Sequence, residues 1–177
     1  RKPFMDMLGK NISRAKRENQ KIALLFLDLE NFKIINDIYG HTTGDELLNR
    51  AAEIINHNIR GSDFSGRIGG DEFVVCLNNI KSVSGAVSTA QKINQAFTKK
   101  IKLEKQSVDL GVSIGIAVYP DDGDNADELL KNSDLAMYKA KKYKKNSFHL
   151  YSKKLQHELL VEQASRYALE KNEFKIN

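Results

Sequence analysis

Arg67-Ile68-Gly69-Gly70-Asp71-Glu72-Phe73-Val74-Val75 is the stretch that decides the fold of this chain. Its paired glycines are expected to supply the positive φ angles of a tight hairpin. An apolar strand follows at once, so Asp71 and Glu72 should stand at the tip of a sheet with ordered backbone on both sides. Read alone, the stretch is either a surface hairpin with a polar tip or a rigid mount for carboxylates that hold metal ions.

Working outward, Ile22-Ala23-Leu24-Leu25-Phe26-Leu27 is a continuous apolar run, the pattern of a central strand buried on both faces. Asp28 at its end is either a strand-terminating polar residue or a metal ligand. Helix is expected over 3–19, 31–39, 43–60, 82–98 and 125–143. Strand is expected over 21–29, 63–68, 73–78, 101–105, 107–118 and 147–151. Thr43-Gly44-Asp45-Glu46 has the spacing of a capping box, followed by a buried stripe of Leu47, Leu48, Ala51, Ala52, Ile55 and Ile59. Ser113 and Gly115 interrupt the apolar strand Val112–Val118, and Pro120 closes it. Alternating helices and strands make the chain α/β (α+β), with a mixed central sheet flanked by helices.

The 177 residues suit one domain, and 41% hydrophobic with 29% charged residues is ordinary globular composition. No stretch is long and apolar enough to span a membrane, and no signal-peptide pattern is visible. The single Cys76 excludes an internal disulfide and reads as a small buried apolar group in a reducing compartment. The net charge of +5 is partly local, because Lys139, Lys141, Lys142, Lys144 and Lys145 crowd one helix end. Without an aromatic stacking array or an RNA-recognition motif, that cluster does not make a nucleic-acid binder.

The hairpin, Asp28, and the run Leu29-Glu30-Asn31-Phe32-Lys33-Ile34-Ile35-Asn36-Asp37-Ile38-Tyr39-Gly40-His41-Thr42-Thr43-Gly44-Asp45 together resemble the GGDEF family of diguanylate cyclases. Members of that family join two GTP molecules into cyclic di-GMP. The resemblance runs from about Arg1 to Tyr151 and implies a palm-like, nucleotidyl-cyclase-like fold. It also implies residue roles. Asp28, the carbonyl of Leu29 and Asp71 would hold two Mg²⁺ (or Mn²⁺) ions per active site. Asp71 and Glu72 are the candidates for activating the 3′-hydroxyl. Asn31, Phe32 and Lys33 match the loop that cradles the phosphates, and Lys141 and Lys145 match its basic partners.

Asn36 and Asp45 match the guanine contacts. A carboxylate at 45 can accept from both N1–H and the 2-amino group of guanine, and adenine presents neither donor on that edge. Asp45 also reads simply as a first-turn carboxylate favoured by the helix dipole, and Asn36 as a turn cap.

Arg60-Gly61-Ser62-Asp63 matches the inhibitory site of the family, where cyclic di-GMP binds away from catalysis, with Lys92 of a neighbouring protomer as a basic partner. Its plain alternative is an (i, i+3) ion pair at a helix end. The chain departs from pattern at Tyr143-Lys144-Lys145-Asn146, where Gly-Arg-Asn is usual. Lysine keeps the charge and loses the bidentate fork, so weaker triphosphate binding is expected.

The resemblance further implies a second GGDEF protomer for catalysis and a bacterial, cytoplasmic setting, within a membrane-anchored or sensor-linked parent. Residues 1–151 would be the cyclase domain, lacking its usual N-terminal segment. Residues 152–177, with Leu155, Leu159, Ala164 and Leu169 along one helix, read as a linker toward an adjoining EAL phosphodiesterase domain. The alternative function is a catalytically weak, GTP-sensing module regulating that phosphodiesterase.

Overall fold

A computed structural model describes residues 1–158 and 161. Five strands form the central sheet in the order β2-β3-β1-β6-β7: β1 (Lys21–Glu30), β2 (Phe64–Gly69), β3 (Glu72–Ile80), β6 (Gly111–Tyr119) and β7 (Phe148–Leu150). β1 lies antiparallel to both β3 and β6, β2 is antiparallel to β3, and β7 is parallel to β6, so the sheet is mixed as expected. A separate two-stranded ribbon pairs β4 (Ile101–Lys102) with β5 (Ser107–Val108). The helices are α1 (Lys2–Glu18), α2 (Phe32–Tyr39), α3 (His41–His57), α4 (Val83–Phe97) and α5 (Ala126–Tyr143).

The apolar run of β1 is buried on both faces because each face has its own helices. Side chains alternate across a strand. Ala23, Leu25, Leu27 and Leu29 therefore join a core with Leu47, Leu48, Ala51 and Ile55 of α3 and Ala86, Ala90, Ile93 and Phe97 of α4. Ile22, Leu24 and Phe26 point the other way, into a second core with Phe4, Leu8 and Ile12 of α1 and Leu129, Ala136 and Met137 of α5. Two cores built on one strand explain why its pattern shows no polar alternation.

Several boundaries differ from expectation. α3 starts at His41, and no side chain caps it. Thr43 thus lies inside the helix and donates its hydroxyl to the Tyr39 carbonyl at 3.0 Å, while Glu46 accepts from the Glu104 backbone N–H at 2.8 Å. The expected capping box does not form there. A related arrangement closes α5 instead: Asn125 Oδ1 accepts from Glu128 N, and Glu128 Oε2 accepts from Asp124 N. Strand 107–118 divides into β5 and β6, since residues 109–110 leave the sheet. In the hairpin only Gly70 has positive φ (40°); Gly69 stays in β2.

β6 and α5 approach closely at Gly115. A Cβ there would lie 1.9 Å from the Ser133 carbonyl oxygen and 2.1 Å from the Met137 nitrogen. What reads in sequence as an interruption of the strand is the place where a helix backbone rests on the sheet. Past β7, Leu155 is buried in the α1–α5 core and Lys139 of α5 pairs with Glu158 at 2.7 Å. The expectations for Leu159, Ala164 and Leu169 fall outside the described residues. Among those described, no helix is long and apolar enough to cross a membrane.

Candidate active site

Strand alternation places the acidic side chains. Because Ile22, Leu24 and Phe26 face α1 and α5, Asp28 and Glu30 face the same way. Asp28 is registered opposite Glu72 on β3 and opposite Ser113 on β6, so the three neighbours share that face. The hairpin tip is tied to β1 by Leu29 N donating to the Asp71 carbonyl at 3.2 Å, and Arg67 Nε donates to the Gly70 carbonyl at 2.8 Å. Asp71 and Glu72 are both half-buried.

α5 closes this face with a cation. Lys141 Nζ lies 2.7 Å from Asp28 Oδ1, while the Asp28 side chain is only 10% exposed. Burial nevertheless holds the Asp28 carboxyl above its ordinary pKa, with the bond to Lys141 opposing the rise. Burial raises Glu72 as well, reinforced by the charges of Asp134, Asp28 and Asp71. Burial lowers Lys141, but its bond to Asp28 outweighs that and leaves it above the usual lysine value. Too many carboxylates for one ammonium is an arrangement suited to hard cations. Among the described residues no three Asp, Glu, His or Cys side chains converge on one point. A site of two carboxylates, a backbone carbonyl and several waters remains compatible with Mg²⁺, which keeps much of its hydration shell.

α2 starts directly after β1. Asn31 enters it with a left-handed φ of 63° and makes no side-chain cap, so the first-turn N–H groups, those of Phe32 and Lys33 included, have no side-chain acceptor at the helix start. Asn36 lies against α3 at Gly44, where a Cβ would come within 1.7 Å of Asn36 Oδ1. That oxygen is buried and has no hydrogen-bond partner in the protein. Asp45 follows Gly44 on α3 and is exposed. It stands in the second turn rather than the first, so the helix-dipole account weakens for it.

Lys145 is exposed in the turn between α5 and β7, separate from the Lys141–Asp28 pair. Arg60 and Asp63 stand apart from all of these. They adjoin a cleft of about 370 Å³ that Arg60 lines with Asn11, Arg14, Gln20, Ile22, Ser62 and Asn78. Ile22 is six residues from Asp28 along β1, a separation of roughly 20 Å. Asp63 accepts from the backbone N–H groups of Arg60 (3.0 Å) and Asn78 (2.9 Å). The expected alternative, an Arg60–Asp63 side-chain ion pair, is therefore not what joins them. Lys92 is exposed on α4 and does not line this cleft.

Three participants escaped the sequence reading. Glu30 is 3% exposed and accepts from Ser113 Oγ at 2.5 Å; its position two residues after Asp28 was the available signal. Asp134 adds charge against Asp28 and Glu72, and it precedes Lys141 by seven residues, two helical turns on one face. Gly44 carried no signal beyond its place between Asn36 and Asp45.

The family profile described as "Diguanylate cyclase, GGDEF domain" matches residues 1–147. This chain belongs to that family. The chain is 36% identical over 176 residues to the bifunctional diguanylate cyclase/cyclic di-GMP phosphodiesterase MucR of Pseudomonas aeruginosa, covering 97% of this chain and 26% of MucR. Among solved structures, the GGDEF domain of TpbB from the same organism superimposes with TM-score 0.88 at 35% identity, covering 90% of this chain and 94% of the other. The GGDEF domain of DgcB from Caulobacter crescentus, solved in complex with c-di-GMP, gives TM-score 0.78 at 26% identity over 85% and 89%. The expected fold and family are thus both found. The chain spans about a quarter of the length of the first curated relatives it matches.

Proposed function

We propose that this GGDEF domain condenses two GTP molecules into cyclic di-GMP and two pyrophosphates, acting across a pair of protomers. The observation that carries the reading is the register that sets Asp28 opposite Glu72 on one sheet face, with Lys141 of α5 reaching the same carboxylate. Asp28, the Leu29 carbonyl and Asp71 would hold two Mg²⁺ or Mn²⁺ ions, which supply charge neutralisation at the α-phosphate and at the departing pyrophosphate.

In each half-reaction the 3′-oxygen of one nucleotide bonds to the α-phosphorus of the other, and the bond to pyrophosphate breaks. Glu72, its affinity for a proton raised by burial and by neighbouring carboxylates, takes the hydroxyl proton. The first-turn N–H groups of α2 and Lys33, with Lys141 and Lys145, neutralise the triphosphate. Asn36 and Asp45, the first packed against Gly44 and the second following it on α3, bind guanine, the carboxylate accepting from N1–H and the 2-amino group. One site presents one nucleotide, so ring closure needs a facing protomer.

The cleft at Arg60 supports product binding there, with the Arg60 guanidinium meeting the ligand and Asp63 holding the loop in shape. A second reading, a GTP-sensing module attached to an EAL phosphodiesterase, is favoured by Lys145 in place of arginine and by the likeness to NbdA of Pseudomonas aeruginosa, a relative named as a cyclic di-GMP phosphodiesterase alone.

The test is cyclic di-GMP formation from GTP and Mg²⁺ across a wide range of protein concentration, with Asp71→Ala as blank. A specific rate that climbs with concentration and vanishes in the variant is expected. Tight GTP binding without product at every concentration, or with dimerisation enforced, would replace catalysis with the sensing role.

A further inference from the structure

β7 is only three residues long and begins opposite Ile114, so the stretch of β6 before it lacks a neighbouring strand on that side. Val112 stands there with both backbone groups engaged by side chains instead. Its N–H donates to Asn146 Oδ1 at 3.1 Å, and its carbonyl accepts from Asn94 Nδ2 at 2.7 Å. Asn94 Nδ2 also lies 3.4 Å from Asn146 Oδ1, linking the two asparagines. The amide orientation is dictated by this surrounding: reversing it would set Asn94 oxygen against two other oxygens.

Asn146 is the residue after Lys145. It has φ of 53°, a left-handed value, and its Cβ packs 3.3 Å from where a Cβ would stand on Gly111. On the other side of Lys145, Lys144 caps α5 in extended backbone and accepts from Ser147 Oγ. The backbone of Lys145 is consequently held at both ends, and the anchor on one end runs through Asn146 to α4. Asn94 itself is 8% exposed, and its Oδ1 is buried with no partner in the protein. An apolar residue of similar size would leave the Val112 carbonyl without its donor and Asn146 without its link to α4, so the amide serves the strand edge and the turn beside it.

We infer that Asn94 is a positioning residue for Lys145: bonded to Val112 and Asn146, it fixes the α5–β7 turn so that the Lys145 ammonium is presented to the triphosphate. This rests on the reading of Lys145 as a triphosphate contact. A lysine has no planar fork to orient its hydrogen bonds, so a fixed backbone beneath it matters more than it would for arginine.

A double-mutant cycle tests it. Binding of the unreactive α,β-methylene analogue of GTP is measured by calorimetry for wild type, Asn94→Leu, Lys145→Ala and the pair, alongside KM and kcat for GTP. Lys145→Ala should weaken binding about tenfold, the size of one lost charge-assisted hydrogen bond. Asn94→Leu should approach that loss, raising KM with kcat within about twofold, and the pair should be no weaker than Lys145→Ala alone.

Asn146→Gly keeps the left-handed backbone and removes the side chain; it should reproduce Asn94→Leu and supplies the same cycle where the leucine variant does not fold. Additive losses, or unchanged binding in the asparagine variants while Lys145→Ala weakens it, overturn the inference alone. Unchanged binding in Lys145→Ala overturns the triphosphate assignment and the inference with it.

Discussion

The two faces of the central sheet are built from the same strands and do opposite things. Toward α3 and α4, β1 presents Ala23, Leu25, Leu27 and Leu29 without a polar atom among them, and β6 matches with Val112, Ile114, Ile116 and Val118. Toward α1 and α5 the same two strands carry Asp28, Glu30, Ser113 and Gly115 where the first face has aliphatic bulk. Strand periodicity lets one run of ten residues satisfy both demands: odd positions build a dry core, and even positions carry chemistry at the end of the strand. The dry face supplies the rigidity that an array of mutually repelling carboxylates needs.

Substitutions on the two faces should therefore separate activity from stability. Glu72→Gln is expected to lower kcat by about 10²–10⁴-fold, the usual span for removal of a general base, with thermal stability kept or raised because burial already disfavours its charged form. Leu25→Ala, fully buried on the opposite face, should cost about 2–5 kcal/mol in denaturant unfolding while leaving the turnover of the folded fraction unaltered. A large activity loss per folded molecule in Leu25→Ala would break the division between the faces. Gly115→Ala joins the two effects, since its methyl would strike α5 backbone rather than a side chain. It should destabilise by about 1–3 kcal/mol and, by displacing the helix that carries Lys141, raise KM for GTP as well.

The smallest effect concerns pH. Burial, aided by the charge of Lys139, depresses the pKa of His149 on β7, opposite Gly115. A histidine with a depressed folded-state pKa adds stability above its unfolded pKa, and that stability is lost as pH falls through the folded value. The His149 contribution, read as the difference in thermal melts between wild type and His149→Gln, should decline below about pH 6.5, the ordinary histidine pKa. A difference constant across that range would assign the pH dependence to other groups.

Much of this division was legible in the sequence. The apolar run ending at Asp28 and the glycine pair before Asp71 located β1 and the hairpin, and the family motifs named the remaining candidate residues. What escaped was decided by contacts distant along the chain. Thr43 has the right spacing for a cap, yet Gly40 already serves as the N-cap of α3, so the helix begins before the threonine. Residues 109–110 look continuous with the following strand, but the sheet takes up only Gly111–Tyr119. Glu30 looks like a surface residue until Ser113, 83 positions away, is brought beside it. Asn94 is unremarked in a helix whose other buried residues are apolar, because its partners are a strand carbonyl and a turn residue 52 positions on.

Cys76 gives the molecule a built-in clock. Its thiol is fully buried in the middle of β3, opposite Leu24 on one side and Phe64 on the other, and burial pushes its pKa far above the ordinary thiol value. No alkylating reagent meets a thiolate there while α1 and α5 stay packed on that face of the sheet. Each labelling event must then record a parting of this core, so the rate of modification at the single thiol counts openings of the fold.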